Sequence, residues 1–188
     1  SAETVAFGAG GALIGVYATT ADSIKDNGVD GDNEKAVTAT IRTGVSLNLT
    51  GKLEVLANTF SSQKAKASGE FGAILAVGAS PADASSSSDT YARIGDGVSI
   101  IAASLRVKAN GEDTNFAESV SGTGGVVSIM AAANADTNTI SSTTAGLGNA
   151  SGKQIVVNTL WMEAYHTATF NGKVSSINAS VVGYSGAS

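Results

Sequence analysis

The chain has 188 residues, of which 43% are hydrophobic, 5% aromatic and 14% charged, and its net charge is −5. This charge, with only 8 Lys and 3 Arg scattered along the chain, argues against a nucleic-acid partner, which needs clustered cations. The absence of cysteine excludes disulfides and thiolate metal sites, and no apolar run reaches the roughly 18 residues of a membrane helix. We expect any signal peptide to have been removed or to lie outside this sequence.

The first element along the chain is an apolar, Gly/Ala-rich run that ends in Ala-Asp. It reads GALIGVYATTAD at 11–22, GAILAVGASPAD at 72–83 and GVVSIMAAANAD at 125–136. Both alternating sets of side chains in each run are largely apolar, which is typical of a strand buried on both faces. The outer face of this strand is then covered either by another part of the same protein or by a partner chain, and we favour a lateral or end-to-end contact with a partner.

The second element begins with a glycine and also occurs three times. It reads GVSLNLTGKLEVLA at 44–57, GVSIIAASLRVKA at 97–109 and GKQIVVNTLWMEA at 152–164, the first with one extra residue. Gly44 and Asp83 are 39 positions apart, as are Gly97 and Asp136, and the glycines repeat every 53 to 55 residues. A fixed period of this length indicates a repeat architecture in which each copy stacks on the next.

The side-chain pattern within the second element favours strands. Alternate residues of a strand point to opposite faces, so Leu53, Val55 and Ala57 share one face. Stacked copies would form one interior ladder of Leu53, Leu105 and Leu160 and a second ladder of Val55, Val107 and Met162. The sequence therefore predicts one all-β domain over 1–188, a parallel β-helix (β-solenoid). Its repeat units are approximately 9–69, 70–122 and 123–178, with 179–188 beginning a further copy.

The segment between each Ala-Asp and the next glycine varies in length, as a surface loop would. Residues 85–88 and 137–144 occupy it in the later copies, and a polar insertion occupies it in the first. That insertion, 26–34, offers oxygen ligands for calcium from Asp26, Asp30, Asp32, Asn33 and Glu34. An EF-hand register starting at Asp26 fails, because Gly28 falls at position 3 and Val37 at position 12. A solvated loop is the preferred interpretation, and calcium is the weak alternative.

Other candidate chemistry is sparse. His166 with Tyr165 and Glu163 could form an acid/base group, but a single histidine on an alternating strand is more often a surface or edge residue. Trp161 and Tyr165 could offer a sugar-stacking surface, and Asp22, Asp83 and Asp136 recur as turn residues would. Glycosylation acceptors occur at Asn48, Asn149 and Asn178.

The glycine cluster at 7–13 fails the dinucleotide fingerprint, because Leu13 occupies the third glycine position. We assign no catalytic, cofactor-binding or metal-binding residue and expect no enzymatic activity.

Several of these features together resemble a known family. An apolar Gly/Ala-rich strand, Ala-Asp, a Ser/Thr segment, IGDGVSI at 94–100 and LRVKA at 105–109 resemble filamentous bacterial adhesins. The closest types are the filamentous-haemagglutinin and leukotoxin-type large exoproteins. The resemblance implies a right-handed parallel β-helix, secretion through an outer-membrane partner, cell-surface display and a role in attachment or aggregation. The implied partners are neighbouring copies or adjoining repeats, and a host or cell-surface glycan or protein as receptor.

Two rival interpretations remain open. The first is a self-assembling subunit of an extracellular filament with a β-sandwich fold, whose residues 4–17 would be donated as a strand to the next subunit. It explains an apolar start but not the constant 39-residue spacing. The second, more distant, is a β-helical carbohydrate-active enzyme.

Overall fold

The structure, a computed structural model, describes residues 1–27, 36–149 and 152–184. These residues form an all-β fold without helices, so none of them forms a helix that could span a membrane. Seven strands form one sheet. They are β1 (Ala2–Ala18), β2 (Ala21–Asn27), β3 (Val37–Ile41), β4 (Ser46–Asn48), β5 (Lys52–Ile94), β6 (Ser99–Leu147) and β7 (Ile155–Tyr184).

All pairings among these strands are parallel. Strands β1, β2 and β3 pair with β5, whereas β4, β5 and β7 pair with β6. The partners are the residues that the repeat aligns, so the chain lies in four layers, each directly upon the next. Layer 1 is 2–27 and 36–48, layer 2 is 52–101, layer 3 is 104–149 and 152–157, and layer 4 is 159–184.

The predicted aliphatic ladders are confirmed. Leu53 pairs with Leu105 and Leu105 with Leu160, and Val107 lies between Val55 and Met162. In layer 3 these side chains are fully buried, with Leu105 1% and Val107 0% exposed. The one-residue gap in the sequence alignment is also accounted for, because the pairing offset changes between Asn48, which pairs with Ile101, and Lys52, which pairs with Ser104. A second shift, between Gly78 and Ser80, restores the first offset.

Strand β5 doubles back on itself. Its odd-numbered residues are buried from Val55 to Gly69 and at Ala73, with Phe71 partly exposed, and its even-numbered ones from Ala76 to Ile94. Between the two stretches the adjacent Ile74 and Leu75 are both exposed, which marks a bend. Residues 52–73 therefore form a first leg and 76–101 a second leg, with their inner faces in contact. Thr90 accordingly donates a hydrogen bond to Thr59, 31 residues earlier, at 2.7 Å.

The space between the legs has three segments. The aliphatic segment consists of Val55, Ala57, Ala92, Ile94, Val98, Ile100, Ala102, Leu105, Val107 and Ala109. The alanine segment consists of Ala21, Ala65, Ala67, Ala82, Ala84 and Ala117. The polar segment between them contains Thr59, Ser61, Gln63, Ser86, Ser88, Thr90, Asp113 and Asn115, all buried. Because most of these side chains are small, the legs approach closely.

The second leg ends at the repeated glycines. Gly44, Gly97 and Gly152 have φ angles of 79°, 60° and 78°, in the left-handed region that glycine adopts without steric penalty. We call residues 40–44, 93–97, 146–149 and 152–153 the glycine corner. The sequence marker therefore corresponds to a turn that each layer makes at the same place.

Three expectations require correction. Residues 85–88 and 137–144 are not loops but lie in β5 and β6, because their inward hydroxyls find partners in the next layer. The apolar runs before Ala-Asp are not buried on both faces, since they form the exposed bend. A sandwich with a donated strand requires antiparallel neighbours and a free β1, whereas β1 pairs in parallel with β5 of the same chain.

The proposed repeat boundaries remain a prediction, because the pairing register does not define where a copy begins.

Candidate functional site

The bend between the two legs carries a continuous apolar surface. In layers 2 to 4 two neighbouring side chains point outward, in layer 1 Leu13 does, and equivalent residues lie over one another. We call this surface the aliphatic strip; its residues are Leu13, Ile74, Leu75, Val126, Val127, Val181 and Val182. Their exposed fractions range from 38% for Leu75 and Val127 to 83% for Val181. An exposed apolar patch that exceeds a few hundred Å² is typical of an interaction site.

The shape of the strip follows from the bend. At a bend the alternation of side chains changes phase, so two consecutive residues face solvent and neither can enter the narrow interior. Gly72 and Gly124 precede the exposed pairs in layers 2 and 3, which leaves the aliphatic side chains projecting beyond their surroundings. The predicted contact with a partner chain at these runs stays a prediction, and the strip gives it a defined surface.

The outer face of the first leg is held by ion pairs between layers. Glu118 lies between Lys66 and Lys173, at 2.9 Å and 3.8 Å from their ammonium groups. Hydrogen bonding to Lys66, followed by the charges of neighbouring lysines, lowers the pKa of Glu118 below its ordinary value. Lys108 contacts Glu163 at 3.3 Å in the same way. These pairs match opposite charges in adjacent layers, which favours this register over a slipped one.

An outward column of carboxylates lies on the second leg. Asp22 pairs with Asp83 and Asp83 with Asp136. The turn interpretation of these residues is wrong, because all three lie within strands β2, β5 and β6. Burial, and then the charges of Asp136 and Asp22, raise the pKa of Asp83. Among the described residues no group of three or more His, Cys, Asp or Glu side chains is arranged to hold a metal ion.

A buried polar network surrounds Asp113 in the interior of layer 3. The Asp113 side chain is 0% exposed, and its Oδ2 accepts hydrogen bonds from Thr139 at 2.8 Å and Ser141 at 2.5 Å. His166 of layer 4 lies over the network. Its Nδ1 is 3.1 Å from the Thr143 hydroxyl, and its Nε2 is 3.2 Å from Asp113 Oδ2 without hydrogen-bond geometry.

A glycine makes room for the imidazole. Gly111 is the layer-3 partner of His166, and a Cβ at Gly111 would lie 2.5 Å from Nδ1 and 2.6 Å from the Thr143 hydroxyl. The histidine thus faces the interior of the end layer, with a quarter of its side chain exposed, and fills the space left by a missing side chain.

The structure does not bring Glu163, Tyr165 and His166 together as an acid/base group. Glu163 points outward to Lys108 and Arg106, and Tyr165 is 55% exposed on that same outer face, whereas His166 points inward. Trp161 and Tyr165 share the outer face but lie four residues apart, roughly 13 Å along a strand. The Arg106 guanidinium is 5.7 Å from the centre of the Trp161 ring, so Trp161 already stacks against a cation.

The remaining candidates stay predictions. The calcium interpretation concerns the insertion 26–34, and 28–35 lie outside the described residues. Of the glycosylation acceptors, Asn48 and Asn149 are exposed, whereas the Asn178 side chain accepts hydrogen bonds from Ser128 at 2.7 Å and Ser180 at 2.6 Å.

Sequence reasoning missed the bend, although two adjacent apolar residues at the same place in each copy are a signal for one. No protein-family model, no curated protein and no solved structure matches this chain.

Proposed function

We propose that the chain is a β-solenoid and serves as a structural repeat segment of a secreted, surface-displayed adhesin that mediates attachment or aggregation. The observation that supports this most is the parallel pairing of equivalent residues over four layers, interrupted in β5 only by the one-residue shift between Gly78 and Ser80 among the described pairs. A stack of this kind can be lengthened by adding layers without any change in its cross-section, which suits a protein that spans distance.

The energetics of the stack agree with a mechanical role. Each layer contributes inward Leu, Val, Ala, Ser and Thr side chains to ladders, and outward Lys and Glu side chains to ion pairs with the next layer. The backbone hydrogen bonds run along the stacking axis, so a pulling force along that axis is shared by a whole layer of bonds. Neighbouring copies are the proposed partners of the aliphatic strip.

The parallel register can be tested with engineered disulfides, because the chain contains no cysteine. Asn58 and Asn110 are direct partners on the outer face of the first leg, where strand spacing of about 4.8 Å suits a disulfide. Asn58→Cys with Asn110→Cys should oxidise within one chain and run faster on a non-reducing gel. Asn58→Cys with Thr114→Cys, about 13 Å further along, is the matched control. Efficient cross-linking of the control pair alone would contradict the β-solenoid.

Electron microscopy separates the adhesin segment from the rival filament subunit. Discrete short particles support a segment of a longer solenoid, whereas long homopolymers assembled from the purified chain support the filament subunit. The parent reading frame gives independent evidence: a thousand or more codons with many such repeats supports the adhesin, and about 200 codons with a signal peptide supports the subunit. Turnover of polygalacturonate would favour the enzyme instead.

The aliphatic strip gives the aggregation part of the proposal its own test. Ile74→Lys places a charge in the middle of the strip, next to Leu13 and Val126 of the adjacent layers. Ile140→Lys is the matched control, since Ile140 is 59% exposed on the outer face of the second leg. We expect sedimentation velocity to show concentration-dependent association for the native chain and Ile140→Lys, and its loss for Ile74→Lys. Equal association of all three proteins would remove the strip from the proposal.

A further inference from the structure

The cations of the described residues divide into two groups. Those on the outer face of the first leg all form ion pairs with glutamates; they are Lys52, Lys64, Lys66, Arg106, Lys108 and Lys173. Among the cations whose side chains the structure describes, Arg42, Arg93 and Lys153 form no ion pair with a described carboxylate. All three belong to the glycine corner, so the unpaired cations of the described side chains are collected there in a chain of net charge −5.

A groove of about 780 Å³ opens at this corner and crosses three layers. The groove lies where glycines leave space that side chains would otherwise fill. In the pairing register Gly146 lies over Arg93, and Gly95 and Gly148 continue the column that starts at Arg42. The arginines therefore form one side of the groove, and the glycines leave it open in the neighbouring layers.

Two of these glycines are structurally required and one is not. A Cβ at Gly95 would lie 2.6 Å from the Thr43 nitrogen, and one at Gly148 would lie 2.6 Å from Asp96 Oδ1. A Cβ at Gly146 would meet nothing within 4 Å, because it would project into the groove. Close packing between the layers therefore explains why residues 95 and 148 are glycine. At Gly146, in contrast, a side chain would fill the groove.

The polar groups of the groove suit an anionic sugar. The Arg93 guanidinium lies 5.4 Å from the centre of the Tyr91 ring, which holds it beside an aromatic surface. Hydroxyl groups of Thr40, Thr43 and Thr144 line the groove. The carboxylate of Asp96 is also present, but one of its oxygens accepts the Asn149 N–H at 2.7 Å. Two arginines against this one carboxylate leave the groove positive.

We propose that the glycine corner binds the carboxylates of a uronate-containing polysaccharide. A guanidinium presents parallel N–H donors that match the two oxygens of a carboxylate, and the groove follows the stacking axis for about 10 Å, so a polymer can contact both arginines. This inference deepens the proposed function, because it names the chemical class of the receptor. A sulfate ester presents its oxygens in a tetrahedral rather than a planar arrangement, so a sulfated glycan separates recognition of the carboxylate from attraction by charge alone.

The test uses the full chain and three probes: an oligogalacturonate, dextran sulfate and neutral dextran, with binding measured by calorimetry at fixed salt. We expect affinity in that order, with no binding to neutral dextran. Arg42→Ala with Arg93→Ala should weaken oligogalacturonate binding by about 10- to 100-fold, as expected for the loss of charged hydrogen bonds. Lys52→Ala with Lys173→Ala is the matched control, since it removes the same charge from the first leg, and we expect less than a twofold change.

Gly146→Leu tests the groove apart from its charge. The leucine would fill the groove while both arginines remain, so binding should fall as it does in the double arginine variant. An equal loss in the lysine control, full binding by Gly146→Leu, or preference for dextran sulfate would each overturn the proposal. If the native chain binds no probe but Asn58→Cys with Asn110→Cys forms its disulfide, the ligand assignment is wrong and the β-solenoid is supported. If that disulfide also fails to form, both proposals are wrong.

Discussion

The interior of the molecule contains two neighbouring segments that are equally buried and chemically opposite. In the aliphatic segment Ile100 and Val107 are 0% exposed, and in the polar segment Ser61 and Thr90 are 0% exposed as well. The aliphatic segment is stabilised by removal of apolar surface from water. The polar segment offers little apolar surface, so its stability depends on hydrogen bonds between side chains.

Those hydrogen bonds run both across the legs and along the stack. Thr90 donates to Thr59 across the interior, while Ser86 donates to Thr139 at 3.0 Å and Ser88 to Ser141 at 3.1 Å in the next layer. Apolar contact has no direction and tolerates a slipped register, whereas a hydroxyl pair is lost when the register moves. We infer that the aliphatic segment supplies most of the free energy of folding and the polar segment supplies much of its specificity.

The largest expected effect comes from removing a ladder leucine. Leu105→Ala should lower the free energy of unfolding by about 2–5 kcal/mol. Leu105 is covered by Leu53 on one side and by Leu160 on the other, so the substitution leaves a cavity between them. Leu160 is 49% exposed at the end of the stack, so Leu160→Ala should cost roughly 1 kcal/mol. Urea unfolding followed by circular dichroism measures both. Equal losses would show that the two leucines are not differently covered.

A smaller effect is expected from the polar segment. Asp113→Ala removes the acceptor of the Thr139 and Ser141 hydroxyls, and should lower stability by about 1–3 kcal/mol, the range for buried polar groups left unsatisfied. The matched change in layer 2 is Ser61→Ala, because Ser61 is the direct partner of Asp113 and accepts one hydrogen bond, from Gln63.

We expect Ser61→Ala to cost less than Asp113→Ala in the same urea experiment. If Asp113→Ala is neutral or stabilising, the polar segment does not depend on its hydrogen bonds, and the contrast with the aliphatic segment is lost.

The two segments also differ in how far the sequence predicts them. The ladders of Leu53 and Val55 were predictable, because apolar alternation and a fixed period both point to the same face. Residues 85–88 were predicted to be a loop, since a run of serines has no apolar face. Within this segment Ser86 and Ser88 point inward, because their hydroxyl groups pair with those of Thr139 and Ser141. This pairing depends on residues 53 positions away in the sequence.

The candidate surfaces were less predictable than the fold. The apolar character of the runs at 72–83 and 125–136 was evident, but their exposure depends on a bend that turns Ile74 and Leu75 outward together. The repeated glycines at 44, 97 and 152 were evident as markers of the period, but the turn at these glycines was not predicted. The positive charge of the glycine corner was not predicted either, because Arg42 and Arg93 lie 51 positions apart and are brought together only by stacking.

The smallest expected effect concerns a carboxylate outside the interior and sharpens the contrast with Asp113. Asp83 has like charges above and below it, and its pKa is raised by burial and by Asp136 and Asp22. A raised pKa means that the folded chain holds this proton more tightly, so the stability it contributes is present at low pH and is lost as pH rises through the folded pKa.

Asp83→Asn should therefore stabilise the chain at neutral pH by a few tenths of a kcal/mol, since the group is exposed and screened, and the gain should vanish near pH 3. Asp89→Asn is the control, because its partner in layer 3 is the uncharged Ser142. Thermal unfolding across this pH range measures both variants. A gain from Asp83→Asn that grows on acidification would mean that stacked carboxylates stabilise this fold, contrary to the electrostatic repulsion expected within the column.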